Sequence, residues 1–228
     1  MTLEHVLIVY QIIAFLFAIS VHESAHAWMA NLRGDPTARM LGRITLNPIK
    51  HIDLIGTILL PALLAYSTHG RAIIGWAKPT PVNPNNFRRP VLDDVLTSIV
   101  GPISNLFVAA AVTIALLGIK TTTAGGRNVV DALTGVGFLH TDSALVPVCR
   151  LLLAFLEINV LLAVFNLIPV PPLDGSHVLK HFLPESIRRA YDMVGLIGIL
   201  LLFYFGPGVL DVLFTPVMGV FVWVIRTV

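Results

Sequence analysis

His22, Glu23 and His26 form a His-Glu-x-x-His pattern, with Ser24 and Ala25 between the last two. Residues four apart on a helix share a face, so the two imidazoles project side by side, about one turn apart. Two neutral imidazoles at that separation can hold a zinc ion at about 2.0–2.1 Å. Glu23, about 100° round the helix, is placed to serve a water molecule, not the metal. The ion draws the pKa of that water toward about 7, and the carboxylate takes its proton as it attacks a carbonyl. The chemistry is metal-assisted hydrolysis. The competing reading is a chance pattern on an amphipathic helix. Here, however, three ionisable groups interrupt an apolar run from about Val6 to Ala30, and each is costly in lipid unless it faces protein or a metal.

A catalytic zinc needs a third protein ligand and an open position. Asp174 is the best candidate. It follows Pro169, Pro171 and Pro172, which cannot continue a helix, so the chain unwinds there and a new element begins at Asp174. Irregular backbone at membrane depth is tolerated where it lines a cavity. The same position also suits a cap for the helix SHVLKHFL, with Gly175 easing the turn, and spacing leaves ligand and cap both open. His177 is a weaker rival ligand, almost one turn into that helix.

The elements that position these residues are set by composition. The chain has 228 residues, 56% hydrophobic and only 12% charged, with a mean hydropathy of +0.84. A soluble domain carries about twice that share of charge, so an integral membrane protein is expected. The net charge of +2 gives no case for a nucleic-acid partner. The single cysteine, Cys149, excludes an internal disulfide framework and a multi-cysteine metal site. The start, MTLEHVLIVYQ, lacks the basic residues of a signal peptide and reads as a retained span.

Further spans are expected at about 92–119, containing GPISN, and at about 146–168, ending in FNLIPVPPLDGSH. Two shorter apolar runs, 193–205 and 209–225, flank Gly206-Pro207-Gly208 and predict a helical hairpin. LIGTILLPALLAY (54–66) is short for a crossing and holds Pro61, which predicts a re-entrant segment. Residues 75–90, with Pro79, Pro81, Pro84 and Pro90, should be extended, and 120–144 should be an exposed loop. Arg33, Arg39, Arg43, Lys50, Arg71, Lys78, Arg88 and Arg89 then share one side with Lys180, Arg188 and Arg189. The positive-inside rule puts that side, and the active site, toward the cytoplasm, with the N-terminus outside. Glu157 and Asn159 fall inside a span, where a carboxylate facing the bundle is the expectation. His51, His69 and His140 read as surface histidines.

Three motifs together carry a resemblance: HESAH in an apolar helix, GPISN in a later span, and NLIPVPPLDG after another. They resemble the site-2 protease family of intramembrane zinc metalloproteases. GDPTARMLGRITLNP with GWAKPTPVNP is similar to its compact bacterial branch, without a PDZ or CBS domain. The resemblance implies one zinc per chain, held by His22, His26 and Asp174, with Glu23 as general base. It implies that Asn166 matches an asparagine able to hydrogen-bond substrate or oxyanion. Asn105 matches a second, whose role is catalytic or a helix-packing hydrogen bond. It also implies a β-like membrane-inserted loop, from residues around 39–48 and 71–82, that pairs with an unwound substrate. Ser176-His177 departs from the family pattern, in which a second glycine often follows.

The expected fold is an all-α polytopic membrane protein, a bundle of about five to six helices with a re-entrant segment and a small β-like loop. It forms one membrane-embedded protease domain over 1–228, with a catalytic core at about 6–181 and a C-terminal hairpin at about 190–228. The expected substrates are transmembrane proteins, including single-span proteins and leftover signal peptides, and the expected location is a bacterial plasma membrane. Two other classes fit the same histidines: a metal-handling membrane transporter, and a proteolytically silent scaffold. The placement of Glu23 as base and the lack of repeated halves argue against the transporter.

Overall fold

The computed structural model describes residues 3–59, 63, 75–136, 143–205 and 207–228. The apolar runs become long helices: α1 (Leu3–Arg33), α3 (Pro90–Thr122), α5 (Leu145–Asn166), α7 (Glu185–Phe205) and α8 (Pro207–Thr227). Short helices α2 (Thr37–Met40), α4 (Gly126–Leu133) and α6 (Asp174–Lys180) lie between them. Among the described residues, four stretches are long and apolar enough to cross a membrane: Leu3–Arg33, Pro90–Thr122, Leu145–Asn166 and Leu210–Thr227. The all-helical class and the membrane character expected above both hold.

The chain divides into two compact units, Met1–Ala18 with Pro102–Val228, and Ile19–Gly101. In the first, Ala109, Val112 and Leu116 of α3 pack with Val129 and Val130 of α4, Leu156, Val160 and Val164 of α5, and Ile225 of α8. The loop expected at 120–144 is therefore partly a core element, because the Val-Val pair of α4 is buried. Lys120 closes that end of the bundle: its Nζ lies 2.7 Å from Asp131 Oδ1 and donates to Ile225 O at 2.8 Å. The buried Asn105 donates through Nδ2 to Ala18 O (3.1 Å) and Asn159 Oδ1 (2.8 Å), and Asn159 donates to Phe155 O (2.8 Å). Asn159 takes the inward face of α5, so Glu157, about 200° round the helix, is exposed and does not face the bundle.

In the second unit the C-terminal half of α1 is bound by loops. Asp35 is its main fastener: its carboxylate accepts from Thr37 N (3.1 Å), Asn83 N (2.7 Å) and Asn86 Nδ2 (2.8 Å). Burial pushes the Asp35 carboxyl up, but these bonds and one from the Thr37 hydroxyl outweigh it and leave the group below its ordinary range. Gly34, at φ 113°, makes the turn into Asp35. His51 is buried, not at the surface, because its Nε2 bonds Thr45 O at 2.8 Å. α3 starts at Pro90, where a missing N–H costs nothing, and Asp93 accepts from Arg89 N at 2.7 Å.

Two expectations concern residues 39–82. Among the described residues no strand is formed: 39–40 end α2, 41–47 are turns and irregular backbone, and 75–83 is extended without a ladder. Of the re-entrant stretch, Leu54–Leu59 makes a short π-helical turn, capped by Asp53 Oδ1 accepting from Gly56 N at 2.7 Å. Residues 60–62, 64–66 and 71–74 lie outside the described residues, as do His69, His140 and Gly206.

Candidate metal centre

His22 and His26 occupy the buried face of α1 at 6% and 8% exposure. Their Nε2 atoms are 3.0 Å apart, with the rings nearly perpendicular at 82°. Two nitrogens at 2.0–2.1 Å from a tetrahedral ion stand about 3.3 Å apart, so the pair fits the spacing of shared ligands. His26 Nδ1 lies 2.6 Å from the Thr97 carbonyl oxygen. A carbonyl only accepts, so Nδ1 carries the proton and Nε2 keeps its lone pair for a metal.

Gly101 explains why the imidazoles sit so close to α3. A Cβ there would run into the ring of His26 and reach the ring of His22 at 2.8 Å. The next residue, Pro102, lies inside α3 and removes one helical donor. Thr97 and Gly101 are thus site residues that the spacing rules did not single out. The signal was present in the Gly-Pro step of GPISN, which places a residue without a side chain one turn after Thr97.

Asp174 opens α6, and Leu173 holds the capping position without any side-chain cap. Gly175 is required here, since a Cβ would strike the backbone carbonyl of Leu167. His22 and His26 each offer an imidazole nitrogen from the second unit, and Asp174 offers a carboxylate oxygen from the first. Two neutral nitrogens and a carboxylate suit zinc and leave a position for water. His177, the rival, has its Nδ1 3.0 Å from Lys180 Nζ.

Glu23, on the same turn as the histidines, meets the proline-rich segment. Its Oε2 accepts from Thr80 N at 2.7 Å, and its own carbonyl accepts from Thr80 Oγ1 at 2.9 Å. On the next residue, the Ser24 hydroxyl donates to Thr45 O and accepts from Thr45 N at 3.2 Å. Asn166, at the end of α5, donates one Nδ2 proton to Leu162 O at 2.9 Å.

A sequence profile of peptidase family M50 matches residues 10–205. The chain is 36% identical over 198 residues to "Putative zinc metalloprotease YwhC" of Bacillus subtilis, covering 85% of this chain and 80% of that protein. It is 29% identical over 178 residues to "Putative zinc metalloprotease Rip2" of Mycolicibacterium smegmatis, covering 78% of this chain and 59% of the relative. No solved structure matches significantly.

Proposed function

Because the chain belongs to peptidase family M50, the site-2 proteases, we propose that this metalloprotease hydrolyses peptide bonds in or near transmembrane segments of other membrane proteins. His22, His26 and Asp174 are the ligands of one zinc ion, and Glu23 is the general base. The observation that carries this reading is the pair of imidazoles with Nε2 atoms 3.0 Å apart beside Glu23, on a helix apolar enough to span a bilayer.

Zinc, when bound, supplies Lewis acidity that polarises the scissile carbonyl and acidifies water. The protein's residues do the rest. Thr97 O holds His26 in the tautomer that presents Nε2. Glu23 takes a proton from the attacking water as the new C–O bond forms. It delivers the proton to the departing amine nitrogen as the C–N bond breaks. Asn166 retains a second N–H for the developing oxyanion. Asn105 acts in packing, because its Nδ2 is directed at Ala18 O and Asn159 Oδ1. The basic loops support an N-terminus outside a bacterial plasma membrane and a site toward the cytoplasm.

The test is a comparison of membrane-derived peptides from cells carrying wild type or Glu23→Gln, each with and without a zinc chelator. Peptides ending within hydrophobic segments should vanish in both the variant and the chelated samples. Persistence of the same peptides in both would overturn the assignment.

A further inference from the structure

The segment from Trp76 to Asn83 is fastened to its own unit by backbone amides at nearly alternate positions. Trp76 N donates to Gly56 O (3.0 Å), Lys78 N to His51 O (2.9 Å), Thr80 N to Glu23 Oε2 (2.7 Å) and Asn83 N to Asp35 Oδ2 (2.7 Å). Three of these partners are fixed parts of the scaffold. The fourth is the side chain assigned above as general base.

The sequence around that contact is constrained. Pro79 and Pro81 have no N–H, so Thr80 holds the only backbone donor of the tripeptide. A residue before proline is driven to an extended conformation, which applies to both Lys78 and Thr80. The amide of Thr80 is therefore held in direction by its neighbours and in place by the anchors at 78 and 83. A glutamate on a helix has three side-chain rotors, and an unrestrained carboxylate samples several positions. The second bond, from Thr80 Oγ1 to Glu23 O, registers the segment on the same residue.

We propose that Thr80 is the positioning residue for Glu23: it grips Oε2 through its amide and leaves Oε1 as the oxygen that meets the water proton. This rests on Glu23 being the base. Thr80 touches neither substrate nor metal in this role, and acts through Glu23 alone. A proline-rich segment is well suited to it, because the flanking rings stiffen the donor without offering competing ones.

The experiment uses the full-length protein in proteoliposomes with a single-span substrate, and reads kcat, KM and zinc content together. Thr80→Val removes the hydroxyl bond, and Thr80→Pro removes the amide donor. Thr80→Val should lower kcat about tenfold and Thr80→Pro about a hundredfold, with KM and zinc content unchanged. Thr80→Ser, which keeps both bonds, should restore kcat to within about twofold. In a Glu23→Asp background, whose shorter side chain has already left the Thr80 amide, Thr80→Val should cost less than about twofold. Full additivity of the two changes overturns the proposal, as does a loss confined to KM or zinc content. Unchanged kcat in both Thr80→Val and Thr80→Pro overturns it as well. The underlying reading fails separately, by activity in Glu23→Gln.

Discussion

The Nδ1 atom of His26 lies 2.6 Å from the carbonyl oxygen of Thr97, 71 residues along the chain. That contact ties the tautomer of a proposed metal ligand to the backbone of α3, one turn before the glycine against which the imidazoles pack. The ligand geometry is thus a property of α3 as much as of α1.

Gly101→Ala should therefore behave as a metal-site variant, although residue 101 carries no ligand. The added methyl meets the His26 and His22 rings. Zinc affinity should fall about 10–100-fold, the range seen when outer supports of metal ligands are lost. Competition with a chromogenic chelator measures it, and wild-type affinity would contradict the packing described.

Asp174→Ala should lose zinc at nanomolar free metal, while His177→Ala should keep it. The first removes a proposed charged ligand, and the second removes a group placed beside Lys180. Metal analysis of purified protein decides between them. Retention by Asp174→Ala with loss by His177→Ala would exchange their roles.

How far residue patterns reached differs by element. The spans around His22, Gly101 and Asn166 were legible because an apolar run of span length has few alternatives in a membrane protein. The two-histidine pair was legible because helical periodicity alone brings positions 22 and 26 together. The roles of Thr97 and Thr80 carry no sequence signal, since each acts through a backbone atom, and Gly101 shows only as the Gly-Pro step of GPISN. Such roles depend on which segments meet, and no side-chain type announces them. The burial of His51 has no sequence signal for the same reason, as its partner is the Thr45 carbonyl. α4 falls within the segment expected as a loop because eight residues with two adjacent valines give little periodic signal.

Asn105→Ala should destabilise the protein by about 1 kcal/mol, since it strips a donor from Asn159 Oδ1 and Ala18 O inside the bundle. Asn105→Ala with Asn159→Ala should cost less than the sum of the single changes. Unfolding in mixed micelles gives both values. A kcat loss in Asn105→Ala at unchanged stability would move this residue into the reaction.

Asp35 gives a pH signature outside the membrane spans. Its folded-state carboxyl is depressed, so the unfolded chain binds more protons and stability rises with pH. The contribution is present above the unfolded aspartate pKa of about 3.9 and is lost as pH falls through the lower folded value. Thermal melts across this range should show a steeper acid decline in wild type than in Asp35→Asn. Equal slopes would remove Asp35 as the fastener of the loops around α1.

The central claim is that Glu23 moves the proton while the histidines hold the metal. Its most direct measurement is zinc content and cleavage of a reconstituted transmembrane substrate by Glu23→Gln, in the same preparation as wild type. One zinc per chain is expected in both proteins, with cleavage by the variant reduced at least about a thousandfold. Cleavage at the wild-type rate by zinc-loaded Glu23→Gln would contradict it.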